Sequence, residues 1–374
     1  MEQSANSRRS RTRSSLYNCL YRSQSFCSRQ TLAQSLGLSL PTVYQNLAEL
    51  MEAGLVEDST ERQATGGRRA GGLRIVPDAR IAVGVYLTAS SLRLAAADLR
   101  LRELAYRELP LPDGASLSEL GNLLAEELER FLDDHGLPRE RLLGVGAALP
   151  AVLSPDNRRI ASAPTLSLAD ASPEELTGRL PYPARVENDA SCGGFAECFT
   201  RNSRGTMAYL SLEDGVGGAI LIDGVPYAGQ RRRSGEFGHM CIEPGGLRCS
   251  CGRRGCLEAY CSPRRVREQL GLSLEAFFAG IEGRDPACGA LWDNMLRHLA
   301  LGINNIHLAL DCDVVLGGSL AEYLPPYLPR LREYAAAGDP FDLGTEYLYL
   351  STLRQHTVPL GAALHFIASF LEQI

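Results

Sequence analysis

The chain has 374 residues, is 45% hydrophobic and 22% charged, and carries a formal net charge of −6. Such a length allows a large buried core in two or three domains, and the composition excludes a fibrous or wholly disordered chain. No apolar run is long enough to span a bilayer, and the opening MEQSANSRRSRTR lacks the apolar stretch of a secretory signal, so a cytoplasmic protein is expected.

Eleven cysteines, an odd number, point in a reducing compartment to metal binding or burial rather than pairing. All 38 basic residues are arginine, so no lysine is available as a Schiff-base former or catalytic base. Residues 1–80 hold 11 arginines against 7 acidic residues, and the remainder 27 against 37. A basic head on an acidic body suggests that the head meets a polyanion.

Residues 1–10 read as a disordered basic arm. The segment RTRSSLYNCLYRSQS predicts a helix carrying Leu16, Cys19 and Leu20 inward. Ser28 is placed to cap a short helix through Leu36, and Gly37 supplies a tight turn. Ser39 can cap the next helix, with Pro41 in its first turn. Val43, Leu47 and Leu50 make one apolar face, which leaves Thr42, Tyr44, Gln45 and Asn46 as candidate base readers of a helix-turn-helix. Gln and Asn suit adenine edges. LVED and GLRIV then read as paired strands around STERQATGGRRAG, a basic wing offering Arg68 and Arg69 to phosphates or the minor groove of double-stranded operator DNA. This winged helix-turn-helix domain is assigned residues 11–78.

From residue 79 strands alternate with helices, which predicts an α/β body. RIAVGVYL, LRLAAADL and LLGVGAALP read as strands, with SLSELGNLLAEELERFLDD as a long amphipathic helix among them. RVENDASCGGFAECF reads as strand, turn and helix, and MAYLSLEDGVGGAILIDG as two strands joined by a glycine-rich turn. A helix over 288–310, the strand CDVVLGG and a closing helix from Pro359 follow.

The body resembles the ROK family of repressors and sugar kinases. The resemblance rests on VENDA at 186–190, GVGG at 215–218, GEFGH at 235–239, CSCGRRGCLE at 249–258 and VVLGGSL at 314–320. It implies an actin-like, ribonuclease H-like two-lobed α/β fold with a sugar cleft. One lobe would span 79–187, completed by 359–374, and the other 188–358. With the winged head, the chain is similar to ROK repressors responding to N-acetylglucosamine phosphate, glucose or xylose, so a sugar or sugar-phosphate effector and a homodimer or homotetramer are implied.

ROK kinases carry Asp-x-Gly-Gly-Thr after the first strand of the body to hold metal and phosphates. The matching residues here are Tyr86, Leu87, Thr88, Ala89 and Ser90. Their second phosphate loop, Thr-Gly-x-Gly-Gly, has become Asp214 followed by GVGG, with Glu213 beside it. A carboxylate about 4 Å from a phosphate oxygen costs about 4 kcal/mol at an effective dielectric of 20. The expectation is therefore a binding protein without kinase activity. The alternative is an ATP-dependent sugar kinase bearing a DNA-binding head. The resemblance carries sugar contacts onto Asn188, Asp189, Glu236, His239 and Glu258, groups that suit vicinal hydroxyls. His239, Cys249, Cys251 and Cys256 form one imidazole and three thiolates, the closed tetrahedral set of a structural Zn2+.

Overall fold

In the computed structural model, which describes residues 2–23, 27–59, 72–112, 114–341, 344–353 and 355–374 (backbone alone for 2–10), the chain opens with helix α1, Glu2–Arg22. Residues 2–10, expected as a disordered arm, are its first turns. The stretch EQSANSRRS has no glycine or proline to stop a helix nucleated by the residues that follow. Leu16, Tyr17 and Leu20 are buried, whereas Cys19, expected inward, is only half-buried. Strand β1 (Cys27–Ser28) leads into α2 (Arg29–Leu36), where the Ser28 hydroxyl accepts from the Thr31 amide at 3.0 Å. Gly37 closes α2 at φ 62°, a left-handed conformation that glycine adopts without strain. Helix α3 (Leu40–Glu52) starts at Ser39, whose hydroxyl accepts from the Thr42 amide at 3.3 Å. Strands β2 (Val56–Ser59) and β3 (Gly72–Ile75) pair antiparallel in a small sheet of order β1-β3-β2. The loop between them, with Arg68 and Arg69, lies outside the described residues.

Strand β4 (Ile81–Leu87) is buried along its whole length because both faces of its sheet are covered. It is followed by β5 (Ser91–Asp98) and β6 (Glu103–Pro110), an edge strand of mostly polar residues that gave no apolar signal in the sequence. Helix α4 (Leu117–Asp134) has a reciprocal capping box between Ser116 and Glu119. The lobe continues through β7 (Leu142–Leu149), a small sheet of β8 (Val152–Leu153), β9 (Ile160–Ala163) and β10 (Leu168–Ala171), then α5 (Glu174–Thr177) and β11 (Ala184–Asn188). The main sheet runs β11-β7-β4-β5-β6. Val83, Val85 and Leu87 pack under α4, and the alternate residues face the other side.

The second lobe begins with α6 (Asp189–Arg201), β12 (Thr206–Leu212), β13 (Val216–Ile222) and β14 (Val225–Pro226). A long loop leads to α7 (Glu258–Cys261), α8 (Pro263–Leu270) and α9 (Leu274–Glu282). Helix α10 (Pro286–Leu310), β15 (Asp313–Gly317), α11 (Leu328–Ala337) and β16 (Leu348–Leu350) complete a sheet of order β14-β13-β12-β15-β16.

The closing helix α12 (Thr357–Gln373) returns to cover the free face of the first-lobe sheet. The approach is close: a Cβ on Gly84 would lie 1.6 Å from the Pro359 carbonyl oxygen, and one on Gly361 1.8 Å from that of Cys192 in α6. Helix α12 therefore touches both lobes. It also touches the head, since Leu16 and Leu20 share one apolar cluster with Leu99, Leu364 and Ile367. Arg13 Nε donates to the Ile374 carbonyl at 3.0 Å and Tyr21 Oη to that of Leu99 at 2.7 Å. Head and body are thus joined by core packing as well as by the chain.

Candidate functional site

On α3, Tyr44 is 57% exposed and Gln45 is exposed, while Thr42 is half-buried with its hydroxyl 2.7 Å from that of Ser39. Asn46 does not join them. It is 3% exposed and donates Nδ2 to the Thr42 carbonyl at 2.8 Å. At 100° per residue, position 46 falls on the face of Val43, Leu47 and Leu50, so the polar side chain belongs to the core and Asn46 is no base reader. Sequence reading also missed Arg29. Its guanidinium sits 5.5 Å over the Tyr44 ring and pairs with Asp58 at 2.8 Å, which brings a cation to the reading helix.

In the body, the motif segments converge on the start of β13. A Cβ on Gly217 would lie 3.0 Å from that of Ala190, beside Asp189; one on Gly218 would meet the Gly235 carbonyl at 2.7 Å; one on Gly238 would meet that of Val216 at 1.9 Å. The Glu258 carboxylate accepts from the Val216 amide at 3.2 Å and, through its other oxygen, from Ser250 Oγ at 2.6 Å. The glycines of GVGG are therefore required by packing between these segments, whatever passes the cleft.

Asp189 opens α6. Its Oδ1 accepts from the Ala190 amide at 2.8 Å, and its Oδ2 from Tyr86 Oη at 3.2 Å. The surrounding protein disfavours its charged form and pushes the carboxyl up to about 7, although these donors oppose the shift. Tyr86 is 6% exposed, packed among Ala148, Cys192, Val358 and Ala362, and its phenol is pushed well above its ordinary range by burial and by Asp189. Asn188 is committed to the protein: Oδ1 caps α6 at the Ser191 amide, and Nδ2 donates to the Ala151 carbonyl and Asp189 at 3.1 and 3.2 Å. Glu213 and Glu236 are half-buried, and desolvation raises both carboxyls above the usual range; Ser319 opposes this for Glu213 and His239 for Glu236. Asp214 turns outward to pair with Arg267 at 2.9 Å, so of the two acids expected to repel a phosphate, this one is partly compensated.

Glu187 was not foreseen. It is 4% exposed at the end of β11 and takes Arg185 on one oxygen and Arg232 of the second lobe on the other, the latter at 2.7 Å. An ion pair thus ties the two lobes beside the cleft.

His239, Cys249, Cys251 and Cys256 come together with all four ligand atoms within 4.8 Å of one another. His239 Nδ1 lies 3.7 Å from Cys249 Sγ, and Cys251 Sγ 3.8 Å from Cys256 Sγ. Tetrahedral zinc with Zn–S of about 2.3 Å and Zn–N of about 2.0 Å needs ligand separations of roughly 3.5–3.8 Å, so the set fits such an ion. Cys241, close in sequence, is exposed and outside the cluster. Gly255 makes the loop possible: it has φ 84°, and a Cβ there would lie 2.0 Å from the Glu243 carbonyl oxygen. Cys249 Sγ is also 3.6 Å from Glu258, so the His–Cys cluster adjoins this carboxylate at the start of α7.

Comparison with known proteins agrees with this geometry. Residues 82–366 match the model of the ROK family, and residues 9–57 that of a winged helix-turn-helix DNA-binding domain. The xylose repressor of Bacillus subtilis is 26% identical over 359 residues, covering 93% of this chain and 92% of its own. The N-acetylmannosamine kinase of Citrobacter koseri is 31% identical over 255 residues, covering 64% of this chain and 82% of its own. A solved ROK family transcriptional regulator, a homologue of the Escherichia coli MLC protein, superposes with a TM-score of 0.77 at 20% identity over 96% of each chain. A body matched along nearly its whole length, with its motifs gathered at the mouth of β13, places the chain in the ROK family, with a winged helix-turn-helix domain at its head.

Proposed function

We propose that this chain is a cytoplasmic, homodimeric or homotetrameric DNA-binding repressor of carbohydrate metabolism. Its cleft takes a sugar or sugar phosphate on Asp189, Glu236, His239 and Glu258, with Asn188 positioning Asp189, and does not phosphorylate it. The carrying observation is the Tyr86–Asp189 hydrogen bond. Transfer of phosphate needs a base beside the sugar hydroxyl, a metal carboxylate and room for the triphosphate. Here an aromatic ring fills the carboxylate's position and its hydroxyl engages the candidate base. Thr88 and Ala89 stand where glycine would admit phosphate, and the Thr88 hydroxyl is tied to the Ser91 amide at 2.9 Å. On this reading zinc fills the His239–Cys249–Cys251–Cys256 set. With four protein ligands it has no open position for water, and it pins the loop presenting Glu236, His239 and Glu258.

One feature favours the kinase alternative: a carboxyl that burial pushes up to about 7 is suited to general base work. Release of ADP from magnesium ATP across a panel of pentoses, hexoses and hexosamines separates the two. The expected result is no sugar-dependent release; turnover at about 1 s⁻¹ or faster, in the range of ordinary enzymes, would contradict the proposal.

A further inference from the structure

Behind the metal loop lies a recess of about 500 Å³, lined among others by Arg248, Ser250, Glu258, Ser262, Arg264 and Arg265. That volume is within the usual range for a metabolite site. Its arginines differ from their neighbours. Arg253 and Arg254 donate to the carbonyls of His239 and Gly246, and Arg267 pairs with Asp214. Among the described residues, Arg248 and Arg264 form no ion pair. Arg265 is half-buried over the Tyr260 ring and donates Nη1 to the Tyr260 carbonyl at 3.0 Å, while its buried Nε has no partner.

Two carboxylates, Glu258 and Glu268, line the recess with Arg248, Arg264 and Arg265, which leaves an excess of one positive charge. Glu258 is satisfied by the Val216 amide and Ser250, and Glu268 is exposed and unpaired with these arginines. Ser262, at the start of α8, makes no side-chain cap to that helix; Pro263 has no N–H and the Arg265 amide donates to the Ser262 carbonyl at 3.0 Å, so this helix end adds at most the Arg264 amide to the wall. Arg265 also feels the Glu243 carboxylate, so the guanidiniums left without an ion pair are those of Arg248 and Arg264, and the chemistry that suits them is a compact anion accepting paired N–H donors.

We propose that this recess is a second ligand site, for a phosphate group, adjoining the sugar site through Ser250 and Glu258. The phosphate comes either from a phosphorylated sugar that also reaches the cleft or from free inorganic phosphate. In the first case the inference rests on the sugar reading above; in the second it stands alone.

Calorimetric titration of the full chain tests it, with inorganic phosphate, glucose 1-phosphate, glucose 6-phosphate and neutral glucose and xylose as probes. At least one phosphate compound should bind, and Arg248→Gln/Arg264→Gln should weaken it by about tenfold or more, as expected for lost charge-assisted hydrogen bonds. Unchanged melting of this variant, and of the single Arg264→Gln, guards against a folding defect. Tighter binding of an ester than of inorganic phosphate assigns the site to a phosphorylated effector; equal binding assigns it to the free oxyanion. Arginine-dependent phosphate binding without any neutral sugar binding would sustain the site while removing the sugar reading. Neutral sugar binding with phosphate affinity absent, or insensitive to the arginines, overturns the site and leaves the sugar reading intact.

Discussion

Asp189 and Tyr86 set the character of the cleft. The folded-state pKa of Asp189, about 7, lies above the value of about 3.9 for an unfolded Asp. Between those values the folded chain holds a proton that the unfolded chain releases. Stability from this group is thus present at low pH and lost as pH rises toward 7. Asn at 189 keeps an oxygen for the Ala190 amide and offers NH2 to Tyr86 Oη. Asp189→Asn should gain stability over the parent as pH rises from about 4 to 7, by roughly 1–2 kcal/mol once solvent screening in the cleft is allowed for, and no further above 7. Urea midpoints at pH 5, 6, 7 and 8 measure this; a gap independent of pH contradicts it. On α3 the two amides should separate. Gln45→Ala should weaken specific DNA binding and leave melting unchanged, whereas Asn46→Ala should lower stability by about 1 kcal/mol through its buried hydrogen bond. Equal melting of the two variants would place Asn46 at the surface after all. Sequence alone suggested the polar face of α3 correctly for Tyr44 and Gln45, because exposure follows helical phase. It failed at Asn46 because polarity was taken as exposure, where phase put the residue in the core.

At the scale of elements, caps, breakers and apolar periodicity made most of the helices and buried strands legible. Strand β6 and the small β8–β10 sheet were not legible, being short or polar and defined by pairing rather than by their own pattern. The packing role of Gly84 and Gly361 was equally hidden, since Gly84 meets Pro359 and Gly361 meets Cys192, partners far away in the chain. Gly361→Ala should force α12 from α6 and cost about 1–3 kcal/mol or more in urea unfolding, as overpacking does. No loss would mean that α12 does not seat as described. The gathering of His239, Cys249, Cys251 and Cys256 was legible from spacing, though not its contact with Glu258. Zinc content should be about one ion per chain, and Cys256→Ser or chelation should remove the ion and lower the melting temperature. Full retention of zinc by Cys256→Ser would exclude that thiol as a ligand.

For the whole molecule, the cleft and the DNA-reading head are joined by a continuous path of packed elements. Helix α6 starts at Asp189 and packs on α12, which in turn packs on α1. The Glu187–Arg232 pair ties the lobes on one side of this path. A sugar that moves one lobe against the other would have to displace α12, and with it the seat of the head; this is a mechanical route for coupling, and coupling is a difference in affinity between two states. The most direct test is the anisotropy of labelled double-stranded DNA, enriched from a random pool by the full chain and titrated with and without a panel of sugars and sugar phosphates but no ATP. The account predicts specific binding whose affinity changes at least about fivefold with one of these ligands, the lower range of allosteric coupling, and an effect lost in Glu258→Ala. DNA binding no stronger than to random sequence, or affinity indifferent to every ligand, would contradict it.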